Sequence, residues 1–270
     1  MDKQKQRHIN KLVKQHMSKG IRYYRKYTSE SYIKAIEKFS NAIYLDPKNA
    51  TAYKYRGSCY FDVDPNKAIK DLTKAIELKP NYTKAYEIRA CCYSYRKSNL
   101  KKAISDYLSI LKYQPNHIES YLSIGYTFSE NDEFDLSIQA FSKAIELSPK
   151  TYRYYILRGH EYIKTQEYSN ALEDFTVAIT SDKWYEKADG YRLIANVYSK
   201  LNDYNKSVEF YTKAIEILSD ESYYDILIKC YKQRSEAYLQ LEEKVKANVD
   251  LKLMKEAELK QKEREKIIPF

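Results

Sequence analysis

Small and apolar residues recur along this chain at two fixed spacings, and both spacings are helical. In the first pattern an aromatic or leucine precedes a small or apolar pair by three residues: Phe39 before Ala42-Ile43, Leu72 before Ala75-Ile76, Tyr107 before Ile110-Leu111, Phe141 before Ala144-Ile145, Phe175 before Ala178-Ile179 and Tyr211 before Ala214-Ile215. Residues three and four apart share one face of an α-helix, so each copy predicts an amphipathic helix. In the second pattern a small residue precedes an aromatic by three: Gly20/Tyr23, Gly57/Tyr60, Ala90/Tyr93, Gly125/Phe128, Gly159/Tyr162, Ala195/Tyr198 and Ser235/Tyr238. Short polar stretches separate the two patterns, among them Ser129-Glu130-Asn131-Asp132, Leu201-Asn202-Asp203 and Asp62-Val63-Asp64-Pro65. In the last of these, Asp64 is placed to cap a helix and Pro65 to occupy its first turn. Each unit therefore reads as a helical hairpin.

Pro47, Pro80, Pro115 and Pro149 follow one another at intervals of 33, 35 and 34 residues. Such a period belongs to stacked helical repeats. A small residue lets the two helices of a hairpin approach closely, and the aromatic three residues on is expected to fill the resulting groove. One hairpin alone cannot bury its apolar face, so neighbouring hairpins must stack and the end repeats must act as caps. The spacing places about seven units over residues 11–262, at about 11–47, 50–80, 84–115, 118–149, 152–183, 186–219 and 222–262. A basic extension, 1–10, precedes them and a tail, 263–270, follows.

Tyr53-x2-Arg56-Gly57-x2-Tyr60, Ala68-x3-Leu72, Ala75 and Pro80 resemble the tetratricopeptide repeat. The fourth unit, with Tyr121, Ile124, Gly125, Phe128, Phe134, Ser137, Phe141, Ala144 and Pro149, carries every landmark of that 34-residue family unit. In the fifth unit Tyr155, Gly159, Tyr162, Tyr168, Ala171, Phe175 and Ala178 fit, with Lys183 in place of proline. The resemblance spans about residues 10–255 and implies an all-α, right-handed superhelical solenoid of about seven antiparallel hairpins. Departures from the pattern carry expectations of their own. Extra residues at Lys26–Ser31 lengthen the first turn, and Ile110 in a usual alanine position implies looser packing. Met254 at the last small position, with a helix running on towards Lys266, implies a C-terminal cap.

In this family the first helices of successive hairpins line a groove that receives a segment of a partner protein. The resemblance therefore implies a protein-interaction scaffold. The inward positions of the central repeats, such as Lys54, Glu87, Cys91, Glu119 and Glu130, are mixed to acidic. Those of the last three repeats are cationic: Arg153, His160, Lys164, Arg192, Asn196, Lys200, Lys229 and Lys232 form the expected partner site. Cations along one wall fit an acidic partner segment through charge-assisted hydrogen bonds. Arg192-x3-Asn196 also resembles the first element of the clamp with which some family members hold a heat-shock chaperone's C-terminus; Gln233 would then supply a second amide. The family's element has Lys where Arg192 stands, and no further repeat follows to complete the clamp.

Charge adds a second class of partner. Of a net +10, nine Lys and Arg against Asp2 and Glu30 lie within residues 1–30, whereas residues 242–270 are nearly balanced. Ile9, Leu12, Val13 and Met17 form one stripe of a helix whose other faces hold Lys5, Lys11, Lys14, Lys19, Arg22 and Arg25. Such a helix is either a simple cap or an attachment point for RNA, an acidic protein or an anionic surface.

Catalytic chemistry finds no foothold in the sequence. There is no Gly-rich phosphate loop, no His-x3-His or CxxC pattern and no nucleophile elbow, so neither enzyme activity nor a metal or cofactor is expected. Cys59, Cys91, Cys92 and Cys230 read as reduced, buried thiols, with the vicinal pair pointing to different sides of its helix. No secretory leader and no apolar run of about 18 residues is present, which reads as an intracellular, cytoplasmic chain without a transmembrane segment.

Overall fold

A computed structural model of the 270-residue chain describes residues 3–95, 99–218 and 223–267, with side chains to Arg264. The described residues form fourteen α-helices: α1 Lys3–Tyr24, α2 Ser29–Leu45, α3 Ala50–Tyr60, α4 Pro65–Leu78, α5 Thr83–Ser94, α6 Leu100–Tyr113, α7 Ile118–Glu130, α8 Phe134–Leu147, α9 Tyr152–Lys164, α10 Tyr168–Ile179, α11 Trp184–Lys200, α12 Tyr204–Leu218, α13 Tyr224–Gln240 and α14 Lys244–Ile267. The fold is an all-α array of helical hairpins. Two compact units divide the chain, residues 1–127 and 128–270. Within the first, α1 to α6 pack each on the next; within the second, α8 to α14 do the same. First helices of consecutive hairpins also touch, α1 on α3, α9 on α11 and α11 on α13.

The landmark residues are the core. Ala35, Phe39, Ala68, Leu72, Ala103, Ala171, Phe175 and Ala178 are fully buried. The glycines let the two helices of a hairpin approach closely, as their spacing implies. A Cβ on Gly20 would lie 2.6 Å from Phe39, one on Gly57 2.9 Å from Leu72 and one on Gly159 2.5 Å from Phe175. Each makes room for the large apolar residue of the second helix. Interhelical closeness is set by that ring or leucine sitting directly over the glycine. Ile110, at a usual alanine position, is fully buried.

The turn inside most hairpins uses one left-handed residue: Tyr27, Asp132, Gln166, Asn202 and Glu242 have φ between 52° and 63°. Such a residue closes a helix C-terminus, and a non-glycine there carries strain of about 1 kcal/mol. Gln166→Gly is therefore expected to be neutral or to stabilise by up to about 1 kcal/mol, a gain limited by the added freedom of the unfolded chain and checked by urea unfolding. The expected Asp64 cap forms, and a second one, not foreseen, opens α2. Asp64 accepts from the Lys67 N–H with Pro65 at the first helical position, and Thr28 and Ser31 make a reciprocal capping box. That box starts α2 at Ser29, so the first turn is shorter than the stretch Lys26–Ser31 suggests.

Helix α1 runs unbroken through residue 10, where the sequence places a boundary, and α14 continues through Ile267 into the expected tail. Residues 268–270 of that tail, and the boundaries drawn at 219 and 222, lie outside the described residues.

Candidate functional site

All eight residues of the expected partner site lie in the second unit, on α9, α11 and α13, which touch in succession. Arg153, Lys200, Lys229 and Lys232 are exposed, and no ion pair involves them among the described residues. Two other cations are already neutralised within their own helix. Lys164 Nζ lies 3.0 Å from Oε1 of the buried Glu161 and 2.7 Å from Ser129 Oγ, while Arg192 donates through Nε and Nη2 to Asp189 Oδ1 at 2.9 and 2.7 Å. Lys164 also sits over the Phe134 ring, 4.9 Å from its centroid. Asn196 is half-buried.

His160 packs edge-on against Phe175, with ring centroids 5.6 Å apart. The residue is exposed, but desolvation of its ring against Phe175, reinforced by the Arg192 charge, holds its imidazole below the ordinary histidine range, which favours the neutral form at pH 7. The Arg192–Asp189 pair also acts on Cys230 of α13, whose thiol burial pushes up to about 12. His160, Lys164, Asp189 and Arg192 thus form one electrostatic cluster, while no described interaction ties Arg153, Lys200, Lys229 or Lys232 to it. Gln233, expected as a clamp amide, turns its Oε1 into the protein, where it is buried without a hydrogen-bond partner.

The corresponding wall of the first unit holds an open pocket of about 250 Å³ lined by Tyr24, Tyr32, Ser58, Phe61, Asp62, Lys84, Glu87, Ile88 and Cys91. Beside it Lys54 is 9% exposed, with Nζ 3.1 Å from the Tyr55 ring centroid. Burial, together with Lys84, lowers its pKa to about 8. The expectation of four buried thiols fails at one position. Cys59, Cys92 and Cys230 are buried but Cys91 is exposed, because it occupies a wall position of α5 while Cys92 faces the core; its Sγ lies 3.7 Å from the Tyr107 hydroxyl.

Residues 118–151, 152–183 and 188–217 match the family model of the tetratricopeptide repeat. The C-terminal part of a tetratricopeptide-repeat protein from Cytophaga hutchinsonii superposes with a TM-score of 0.70 at 21% identity, covering 92% of this chain and 93% of its own. These three segments are tetratricopeptide repeats. YrrB, described as a tetratricopeptide protein with an unusual peptide-binding site, shares the fold at a TM-score of 0.55 and 21% identity, over 69% of this chain and 95% of YrrB. Protein bimA of Emericella nidulans is 26% identical over 99 residues, which are 37% of this chain and 12% of bimA, so the match spans about an eighth of that relative. The general role of such an array is non-catalytic protein interaction. Among the described residues no helix is long and apolar enough to cross a membrane, and no cluster of His, Cys, Asp and Glu is arranged to hold a metal.

In this array of helical hairpins a recurring polar lattice escaped the sequence reading. Arg56 donates to both Asp71 carboxylate oxygens at 2.7 and 2.8 Å and, through Nη1, to Ser40 of the preceding hairpin at 3.0 Å. Arg89 does the same with Asp106 and Thr73, Arg158 with Asp174 and Ser142, and Arg234 with Asp250 and Thr212. Each arginine stands one residue before the small landmark, each aspartate one before the large apolar landmark, and each hydroxyl one after the previous such landmark. The planar guanidinium meets a carboxylate with two donors and reaches the neighbouring repeat with a third, which fixes the stacking register.

Proposed function

We propose that the wall formed by α9, α11 and α13 docks an acidic segment of a partner protein. The observation that carries this is the set of exposed cations on that wall, Arg153, Lys200, Lys229 and Lys232, left without ion pairs among the described residues. The first helices touch in sequence, so a segment laid along them meets cations from successive repeats. Lys164 and Arg192 contribute less than their charge implies, since an approaching carboxylate must compete with Glu161 and Asp189. The neutral His160 offers a hydrogen bond and an aromatic edge. Peptide binding by YrrB, a protein of the same fold, supports the reading. The chaperone C-terminus is a weaker form of it, because the guanidinium expected to grip the terminal carboxylate is held by Asp189 at 2.7 Å.

Affinity capture from nuclease-treated lysate, comparing wild type with Lys200→Glu/Lys229→Glu/Lys232→Glu, tests the proposal. The three positions are exposed, so the melting temperature is expected to stay within a few degrees and the loss of partner to report the surface alone. The expected result is a set of proteins that resists nuclease and is absent from the triple variant. Retention of the same set by both forms removes the groove assignment.

A further inference from the structure

Helix α1 carries Lys3, Arg7, Lys11, Lys14 and Arg22, and at 100° per residue these five fall on one face, with Ser18 filling the single gap. They form a straight row about 28 Å long, at a rise of about 1.5 Å per residue, with a cation roughly every 6 Å over its first three turns. Every member is exposed. No acidic residue occurs anywhere in α1, and among the described residues none of the five is in an ion pair or lies over an aromatic ring. The carboxylates on the adjacent helix α2 are occupied: Glu30 holds Lys34 and Glu37 holds Lys38. The contrast is with the Lys–Glu and Lys–Asp pairs three or four residues apart that balance other helices, such as α4, α8 and α12.

We infer that this row docks the phosphodiester backbone of a nucleic acid. The inference concerns a different surface, on a different unit, from the proposed groove. Insertion into a bilayer is disfavoured because the apolar side of α1 is spent: Met17 and Ile21 pack against Ala35, Phe39 and Cys59, and Val13 and Gly20 are buried. An acidic protein interface is disfavoured because the row holds no aromatic or aliphatic anchor for a desolvated centre. Lysine, arginine and serine in a line are the side chains that grip phosphates without reading bases. Binding is therefore sequence-independent and salt-sensitive.

The test uses the full chain with fluorescently labelled mixed-sequence probes of about 20 nucleotides, single-stranded RNA and duplex DNA, titrated from about 50 to 200 mM salt. Polyglutamate of similar length serves as the acidic-protein probe. With five phosphates neutralised, the slope of log affinity against log salt is expected near −4.5 for the duplex or about −3.5 for the single strand, and the probe bound more tightly at equal salt identifies the form. Arg7→Gln/Lys11→Gln/Lys14→Gln keeps helix propensity and is expected to make that slope shallower by about 2.7 for the duplex or about 2.1 for the single strand. Circular dichroism confirms that the variant is folded. Lys200→Glu/Lys229→Glu/Lys232→Glu is expected to leave the slope difference between wild type and the α1 variant intact, which separates this inference from the groove. No binding at about 50 mM salt, or a slope unchanged by the α1 substitutions, overturns it. Binding of polyglutamate but not of either nucleic acid reassigns the row to an acidic protein.

Discussion

Asp174→Ala is expected to destabilise the second unit by about 3 kcal/mol, whereas Arg158→Ile/Asp174→Ala recovers to within about 1 kcal/mol of wild type. Asp174 is 3% exposed, and its two oxygens accept from Arg158 at 2.7 and 2.9 Å. Removing it leaves a largely buried guanidinium with only Ser142 and the faces of Tyr155 and Tyr162 for company. Removing both charges is different, because the pair itself gains little over an apolar contact. Burial pushes the Asp174 carboxyl above its ordinary range in spite of the arginine beside it, while the hydrogen bond to Asp174 raises the Arg158 guanidinium, so desolvation outweighs attraction at the carboxylate and offsets much of the pair's gain. The chain contains its own precedent. The sixth repeat has Ile194 and Phe210 at the two positions, packed in one apolar cluster, and the fourth has Ile124 and Ala140. Urea unfolding followed by circular dichroism measures both variants. A double variant as unstable as the single one shows that the ion pair is a net source of stability rather than of register.

The repeat was legible because its small and large apolar landmarks, which recur in step with four exposed prolines, are residues the structure buries, so their periodicity and the packing report the same constraint. The hairpin turns were legible for the same reason, through Asp64 and Pro65. What the pattern concealed was pairing. Lys164 and Arg192 entered the candidate site as cations, yet Glu161 and Asp189 stand three residues before them, the spacing at which helical side chains meet. The Arg–Asp lattice was also present, as an arginine before Gly57, Ala90, Gly159 and Ser235 and an aspartate before Leu72, Tyr107, Phe175 and Leu251. Separations of 15, 17, 16 and 16 residues hid it from any search for local charge pairs. Exposure of Cys91 beside buried Cys92 follows from helical rotation, but which of the two faces the wall depends on the register of α5 against α6.

Lys54 carries the larger lesson about charge counted from sequence, since a lysine in a wall position is ordinarily taken as an available cation. Here it is 9% exposed against Tyr55, and burial with Lys84 nearby lowers its pKa from 10.5 to about 8. Cys59, the neighbouring group that favours the charge, gives little help, because burial raises its own pKa to about 12 and keeps it neutral. Below about pH 8 both the folded and the unfolded chain hold the proton, so the folded state bears the full desolvation cost, about 3 kcal/mol for a shift of this size. Between about pH 8 and 10.5 the unfolded chain binds more protons than the folded one, and stability contributed at this site rises with pH; above that window the cost is gone. Lys54→Met is therefore expected to stabilise the first unit at pH 7 by about 2 to 3 kcal/mol, the thioether keeping the aromatic contact with Tyr55. The advantage over wild type is expected to shrink steadily as pH is raised from 8 towards 10.5 in parallel urea titrations. An advantage independent of pH places the gain in packing rather than in the buried charge, and no advantage at any pH means that the ammonium reaches water along the groove.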